Sequence, residues 1–368
     1  MQAKKIVFTS DILRLSKDKS SRKLFAKNTY WLHHLLRRPI QQATQLPIEL
    51  LEWEKGTDFN GEQVYDLLNL PMNIDGWVKF YYEEIIPNSV IDYFAPFLDQ
   101  ALVIGFEVPA YFMKICTALS LPCINIMWDP IRFMDDIFFS FNTNNEKIFE
   151  ALLPYQLAPF LVYQSADLHK ARFYRRQIEI EEAGALILGQ TTGDRSLIEG
   201  DQLRKLTDFK PKLSDLSKRG KLWLRKHPFD SNFERNRDAL EAVGLQVLER
   251  TYNIYDLLCA EQIKHVAAIS SGTTLEAKFF EKSAETFIPS YYQYYKASNQ
   301  YQENNCISVK DTFLEVNFWA NVLKSVCSLT YKLDQQLPYK ANRMRNANCS
   351  FWGYEEARNE QIIVKYDE

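Results

Sequence analysis

The first half of the chain contains short apolar runs flanked by polar residues. They cover residues 5–9, 101–106 and 123–128. Between the last two runs, Pro109 opens a segment, residues 109–120, in which apolar residues recur at helical spacing. The pattern predicts a strand, a helix and a strand in succession.

The second half alternates short apolar runs with helical segments more regularly. The runs cover residues 185–188, 222–224, 245–248, 266–269 and 286–288. Strands that alternate with helices are typical of a parallel sheet buried on both faces. We therefore predict a second α/β unit in this half.

A mostly helical stretch, residues 145–177, separates the two halves. At roughly 100 to 200 residues per domain, a chain of 368 residues corresponds to two domains. We predict Rossmann-like domains over residues 1–177 and 178–338, and a terminal helical segment over 339–368 that packs back across the junction. Ligands of such folds bind at the carboxyl ends of the strands, so the two domains would face one central cleft.

Composition and charge exclude several classes of protein. Hydrophobic residues make up 46% of the chain and charged residues 25%, as in folded globular proteins. The formal net charge is −3, so no positive field attracts nucleic acid, and we expect no nucleic-acid partner. The chain lacks the GxGxxG and GxxxxGK[ST] signatures, which removes the main support for a dehydrogenase or an ATPase.

Metal, disulfide and membrane signals are weak. The six cysteines include no CxxC pair, and Asp135 and Asp136 have no further ligands at metal spacing, so we expect no metal site. The N-terminus has too short an apolar run for a signal peptide, and no window reaches the roughly 18 apolar residues of a membrane span. We expect a cytoplasmic protein, and peripheral association with the inner membrane stays open.

The densest polar motif follows the apolar run 266–269. Backbone amides and hydroxyls at a helix N-terminus form an anion site, and Glu276 would accept hydrogen bonds from ribose hydroxyls. The alternative is an ordinary helix start in which Glu276 completes a capping box with Thr273. We favour a nucleotide pocket, whose residues would be Ser270, Ser271, Gly272, Thr273, Thr274 and Glu276.

Basic side chains follow the predicted strand at residues 222–224. Arg225, Lys226 and His227 stand where a parallel strand delivers side chains to the cleft. A phosphate or a carboxylate would be their partner, and a solvated basic turn is the alternative. Their place in the same predicted sheet as the serine-rich loop favours ligand binding.

Two carboxylates complete the candidate site. Asp194 ends a loop that contains Gln190, and it would act as a nucleophile, a base or a helix cap. Glu107 follows the predicted strand at residues 101–106 in the other half. It would deprotonate an acceptor hydroxyl, or it is an exposed loop carboxylate.

Taken in chain order, residues 189–194, 226–228 and 270–276 resemble the bacterial β-Kdo transferases of capsule, lipopolysaccharide and O-antigen assembly. In that family a Gln-containing loop ends in Asp, a His-Pro motif follows, and a Ser-Ser loop leads into a helix with Glu. The first half matches the family only through residues 9–11 and 107–109.

The resemblance implies a GT-B glycosyltransferase that moves Kdo from CMP-β-Kdo to a hydroxyl of a bacterial surface glycan, with retention of configuration. It implies that Asp194 is the nucleophile and Glu107 the acid or base on the acceptor side. His227 and Lys226 would hold the CMP phosphate or the Kdo carboxylate, and residues 270–276 would bind the cytidine nucleotide. No cofactor is implied, because basic residues and a helix N-terminus stabilise the departing CMP.

Two other functions fit the same pattern. One is a GT-B transferase that uses CMP-sialic acid or another nucleotide sugar. The other is a catalytically inactive GT-B protein of polysaccharide assembly. Asp194, His227 and Glu276 together favour an enzyme over an inactive protein. Gly193 departs from the family, which often has a second acid at that position.

Overall fold

The computed structural model describes residues 2–15, 22–53, 57–174, 178, 180–227, 230, 233–248, 252–294, 296, 300–329 and 344. Within this part of the chain there are two α/β units, each built on one large sheet. The strands are β1 (Lys5–Ser10), β2 (Ile48–Leu50), β3 (Ala101–Phe106), β4 (Cys123–Trp128), β5 (Phe139–Thr143), β6 (Gly184–Leu188), β7 (Ile198–Glu199), β8 (Gln202–Leu203), β9 (Lys221–Arg225), β10 (Gln246–Val247), β11 (Ile263–Ala268), β12 (Ser283–Thr286), β13 (Gln293–Tyr294) and β14 (Asn305–Val309). The helices are α1 (Arg22–Thr44), α2 (Gly61–Leu67), α3 (Ile74–Tyr81), α4 (Asn88–Leu98), α5 (Ala110–Ala118), α6 (Glu146–Leu152), α7 (Pro159–Phe173), α8 (Lys210–Ser217), α9 (Phe233–Glu241), α10 (Ile254–Cys259), α11 (Thr273–Ala277) and α12 (Val316–Leu323).

The first sheet has the order β13-β14-β5-β4-β3-β1-β2 within the described residues. Strands β2, β1, β3 and β4 run parallel, whereas β5 pairs antiparallel with both β4 and β14. The strands predicted at residues 5–9, 101–106 and 123–128 are confirmed as β1, β3 and β4. The helix predicted after Pro109 is confirmed as α5.

Both faces of this sheet are buried, and side chains alternate between them as strand geometry requires. On β1, Ile6 and Phe8 pack against one group of buried residues, which includes Leu32 and Leu36 of α1. Val7, between them in sequence, packs on the opposite face with residues such as Phe112 of α5. Burial on both faces explains why these strands appear in the sequence as continuous apolar runs.

The second sheet has the order β10-β9-β6-β11-β12, and all of its pairs are parallel. The α/β class and the parallel sheet predicted for this half are confirmed. The fifth predicted strand lies earlier than expected, because β12 covers Ser283–Thr286. Phe287 and Ile288, which gave the apolar signal, follow the strand and are buried in the core.

The predicted domain limits of 1–177 and 178–338 stay a prediction, and two parts of the structure pack across them. Helix α7 precedes residue 178, yet its Val162 and Ala166 pack in the core of the second sheet. Strand β14 follows the second sheet in sequence, yet it pairs with β5 of the first. Helix α12 then packs in the core of the first sheet. The antiparallel pairing of β14 joins residues 166 to 170 positions apart, which no local pattern predicts.

The terminal segment predicted over residues 339–368 lies outside the described residues except for Met344. That side chain is buried in the core of the first sheet. Its backbone amide donates to Asp136 at 3.4 Å. The prediction that the segment is a helix crossing the junction stays a prediction.

Candidate active site

The carboxyl ends of the two sheets meet through their loops. From the first sheet come the loops after β1, β3 and β4; from the second come those after β6, β9 and β11. Arg14 Nη2 donates to the Gly193 carbonyl at 3.0 Å. A Cβ added at Gly272 would lie 2.5 Å from Pro130 Cβ, so only glycine allows this close approach. The candidate residues of both halves therefore lie where these two sets of loops contact each other, a region called the seam below.

Gln190 and Ser270 are joined by two hydrogen bonds. The Ser270 amide donates to Gln190 Oε1 at 2.8 Å, and Gln190 Nε2 contacts Ser270 Oγ at 3.1 Å. Ser270 Oγ in turn donates to the Ser196 carbonyl. These bonds fix the loops after β6 and β11 against each other, so both predicted binding residues also have a structural role.

The segment after Ser270 enters α11 without the capping box that was the alternative to a nucleotide pocket. Gly272 is the N-cap residue and provides no side-chain cap. Ser271 Oγ instead accepts from the Thr273 amide at 3.3 Å, and Thr274 Oγ1 donates to the Ser271 carbonyl at 2.7 Å.

Glu276 is 1% exposed and connects the two halves. Its Oε1 accepts a hydrogen bond from the Arg132 amide of the first half at 2.7 Å, and one from the Tyr255 hydroxyl at 3.0 Å. Burial raises the pKa of the Glu276 carboxyl to about 7, although these two donors and the Arg132 charge oppose the rise. A ribose hydroxyl would have to share a carboxylate that the protein already uses.

The three basic residues at the end of β9 have different partners. Arg225 Nε donates to the Tyr252 carbonyl at 3.3 Å. Lys226 Nζ lies 3.5 Å from a Glu234 carboxylate oxygen and 5.1 Å from the centre of the Phe233 ring. The predicted basic cluster therefore does not converge on one point.

His227 is the member of that group that turns toward the β6 loop. Its Nδ1 lies 3.1 Å from Thr191 Oγ1. Burial, together with the positive charges of Arg132 and Arg225, lowers the pKa of the imidazole. Asp194 opposes this effect. A neutral imidazole is thus favoured near neutral pH.

Asp194 is an exposed residue at the start of the short 3-10 helix Arg195–Leu197, and it caps that helix. Its Oδ1 accepts from the Ser196 amide at 2.8 Å, so the capping alternative of the sequence is real. Partial desolvation raises the pKa of the carboxyl, but the Arg14 charge and the Ser196 bond outweigh it and hold the pKa below its ordinary value. Asp194 is consequently ionised at neutral pH, as a nucleophile must be.

Glu107 projects from the turn after β3 with a φ of 54°, in the left-handed region. Such a backbone costs a non-glycine residue about 1–3 kcal/mol and persists only when its surroundings fix it. The fixing contact is the Glu107 amide, which donates to the Ile126 carbonyl at 2.8 Å. The side chain forms an ion pair with Arg195, Nη2 to Oε1, at 3.0 Å.

Sequence reasoning missed Arg195 and Asp11, which line one pocket at the seam. Both are buried. Asp11 accepts from Trp77 Nε1 at 3.0 Å, and burial raises the pKa of its carboxyl to about 6. The position of Arg195 directly after Asp194 was an available signal; burial of a charged loop residue was not. The pocket lining is Ser10, Asp11, Arg14, Asn28, Phe106, Glu107 and Arg195.

No three His, Cys, Asp or Glu side chains of the described residues lie together as a metal site requires. Among the helices that the structure describes, none is both long and apolar enough to cross a membrane.

Comparison with models of protein families finds no match, and comparison with curated proteins finds none either. Among solved structures, the chain is similar to the β-Kdo 2,7 transferase KpsC of Thermosulfurimonas dismutans, with 11% identity and a TM-score of 0.41 over 85% of this chain and 98% of that one. It is also similar to the UDP-GlcNAc 2-epimerase of Methanocaldococcus jannaschii, solved with UDP-GlcNAc and UDP, with 10% identity and a TM-score of 0.27 over 98% and 99% of the two chains. Both scores are low, so neither likeness decides the function.

Proposed function

We propose that this chain is a retaining glycosyltransferase that moves Kdo from CMP-β-Kdo to a hydroxyl group of a bacterial surface glycan. The observation that carries the proposal is a pair of carboxylates from opposite halves at one seam. Asp194 belongs to the second half and Glu107 to the first, and Arg195, next to Asp194, contacts Glu107 at 3.0 Å. Two carboxylates that flank a sugar are what a double displacement requires.

The second half would hold the donor. Its candidate contacts are the neutral His227, the loop that contains Gln190, and the segment from Ser270 to Glu276. Arg225 stays a candidate for the CMP phosphate, although its Nε donates to the Tyr252 carbonyl. Lys226, whose ammonium group lies beside Glu234, is given no contact to CMP in this proposal. Positive charge and backbone amides stabilise a departing phosphate without a metal, so we expect turnover to survive EDTA.

Two displacements give retention of configuration. In the first, an Asp194 carboxylate oxygen attacks the anomeric carbon, and CMP leaves with the electrons of the broken bond. In the second, the acceptor hydroxyl oxygen attacks the same carbon and Asp194 leaves as carboxylate. Glu107 takes the hydroxyl proton in this step. The ionised state of Asp194, held by Arg14 and Ser196, suits the first displacement.

Intact-protein mass spectrometry with CMP-Kdo generated in situ tests the proposal. Wild type should gain the mass of one Kdo residue, and Glu107→Gln should accumulate this adduct because the second step is blocked. Asp194→Asn should give neither adduct nor product. Asp201→Asn is a matched control, since Asp201 is exposed in a nearby turn, and it should label like wild type.

Labelling of Asp194→Asn, or a product whose anomeric configuration is inverted relative to the donor, would remove the covalent route. A parallel screen with CMP-sialic acid identifies the donor. Labelling by that donor and not by CMP-Kdo would keep the mechanism and change the substrate. No reaction with any nucleotide sugar would favour an inactive assembly protein.

A further inference from the structure

Arg195 is a cation buried between the two halves. Its side chain is 7% exposed, against 22% for the Glu107 side chain. Nη1 donates to the Glu107 carbonyl at 3.1 Å and to the Tyr291 hydroxyl at 2.9 Å, and Nη2 lies 3.0 Å from Glu107 Oε1. Burial of a guanidinium is unfavourable unless an anion pairs with it, so Arg195 needs a carboxylate or phosphate partner at all times.

The anion that now pairs with Arg195 is the proposed acid or base of the reaction. The guanidinium occupies Oε1 of Glu107, an oxygen that an acceptor hydroxyl would otherwise approach. Arg195 also holds the Glu107 backbone, since its Nη1 donates to the Glu107 carbonyl. The Arg195–Glu107 ion pair therefore suits the protein without donor better than the protein during the transfer reaction.

Arg195 is also next to the proposed nucleophile. Consecutive Cα atoms lie about 3.8 Å apart, and the Arg195 charge is close enough to lower the pKa of Asp194, so one ligand can contact both side chains. Asp194 would contact the anomeric carbon. In a 2-keto sugar acid such as Kdo, that same carbon carries a carboxylate. Guanidinium and carboxylate groups pair through two parallel hydrogen bonds, which makes arginine the residue suited to this group.

We propose that Arg195 binds the carboxylate on the anomeric carbon of the donor sugar, and that Glu107 holds that place until the donor arrives. This inference rests on the proposed function. Donor binding moves Arg195 from Glu107 to the substrate and frees Glu107 for the acceptor hydroxyl. It assigns the carboxylate to a residue other than Lys226, whose ammonium group lies beside Glu234. Aldose donors, which lack the carboxylate, would leave the Arg195–Glu107 pair intact and are excluded.

The test compares free Kdo with its methyl ester, which has no charge, as ligands of the CMP-saturated protein. Affinities are measured by ligand-detected NMR on wild type, Arg195→Gln, Arg195→Lys and Glu107→Gln. In wild type, Kdo should bind more tightly than the ester. Arg195→Gln should lower the affinity for Kdo by on the order of ten- to a hundredfold, the loss expected for hydrogen bonds to a charged group. The affinities for the ester and for CMP should stay within about twofold of wild type.

Glu107→Gln should strengthen Kdo binding, because it removes the competing carboxylate. If Arg195 only joins the two halves, neither substitution alters the preference for Kdo over its ester, and the proposal is wrong. If Arg195→Gln does not fold, the comparison of Arg195→Lys with Glu107→Gln decides. A lower Kdo affinity in Arg195→Lys and a higher one in Glu107→Gln support the proposal, whereas a loss of affinity in both refutes it. Absence of both CMP binding and Kdo labelling in wild type would instead refute the proposed function itself.

Discussion

The two sets of loops at the seam differ in what their polar side chains contact. We call the loops after β6, β9 and β11 the second-sheet loops, and those after β1, β3 and β4 the first-sheet loops. In the second-sheet loops, Gln190, Ser270 and His227 bond to partners in the same group of loops. In the first-sheet loops, Asp11 and Glu107 line the pocket at the seam.

The difference shows what a polar motif at a strand end signifies. Buried polar groups must be hydrogen-bonded, and loops in contact satisfy one another first. A dense motif such as residues 270–276 therefore reports loop packing as much as ligand binding. Asp11, which belongs to no dense motif, is also hydrogen-bonded, to Trp77 and Tyr111, yet it lines the pocket.

The largest expected effect is the loss of stability when Arg195, which joins the two groups of loops, is replaced. Arg195→Met should lower the free energy of unfolding by about 3–5 kcal/mol, because breaking a buried ion pair leaves Glu107 without its partner. Urea unfolding measures this. Lys218→Met is the control, since its pair with Asp215 lies at the surface and should contribute about 1 kcal/mol or less. Equal losses of stability in the two variants would mean that the Arg195–Glu107 pair is as exposed to solvent as a surface ion pair.

Glu276 tests whether a motif residue is structural, through the dependence of stability on pH. Its pKa rises from 4.5 to about 7 on folding, so its contribution to stability is full below pH 4.5 and is lost as the pH rises through 7. Glu276→Gln cannot ionise and keeps an oxygen for Arg132 and Tyr255. It should match wild type at pH 4.5 and exceed it by about 3 kcal/mol at pH 8. Parallel stability curves for the two proteins would show that the carboxyl is not buried in solution.

Gly272 tests how closely the two groups of loops pack. Its φ of −58° suits alanine, so the only obstacle to Gly272→Ala is Pro130, whose Cβ would lie 2.5 Å away. Overpacking of this kind should reduce the free energy of unfolding by about 1–3 kcal/mol. Ser271→Ala, which removes one long hydrogen bond at the neighbouring position, should cost less than about 1 kcal/mol. An unchanged stability in Gly272→Ala would mean that the seam opens in solution.

Sequence pattern was sufficient for the strands whose two faces are buried. Runs such as residues 101–106 and 185–188 are apolar at every position, and both became strands. Strand β5 was not predicted, although Phe139 and Phe141 alternate with Ser140 and Asn142 at the spacing of a half-buried strand. The sequence did not indicate that Ser140 is fully buried, where its hydroxyl donates to Asp129 at 2.6 Å. It also missed β14, since the pairing with β5 is fixed by contacts distant in sequence.

For the candidate site, sequence identified strand ends but not side-chain directions. Glu107 and Asp194 were predicted at strand ends, and both lie on the seam. The direction of Lys226 depends on Phe233 and Glu234 in α9, which the motif does not contain. The role of Arg195 depends on Glu107, a residue of the other half. The direction of a side chain and its ion-pair partner cannot be predicted from one segment when the partner belongs to another element.

The smallest expected effect separates two adjacent residues of the second-sheet loops. Lys226 has a side chain that is 44% exposed and lies beside Glu234, so Lys226→Ala should change the stability by no more than about 0.5 kcal/mol and the CMP affinity by less than about twofold. His227→Ala removes an imidazole that contacts Thr191 in the β6 loop, and it should weaken CMP by on the order of tenfold while the fold is kept. Calorimetric titration with CMP measures both variants against wild type. A larger loss for Lys226→Ala than for His227→Ala would mean that the ammonium group leaves Glu234 for the phosphate when CMP binds, and the basic cluster predicted from the sequence would then form only around the ligand.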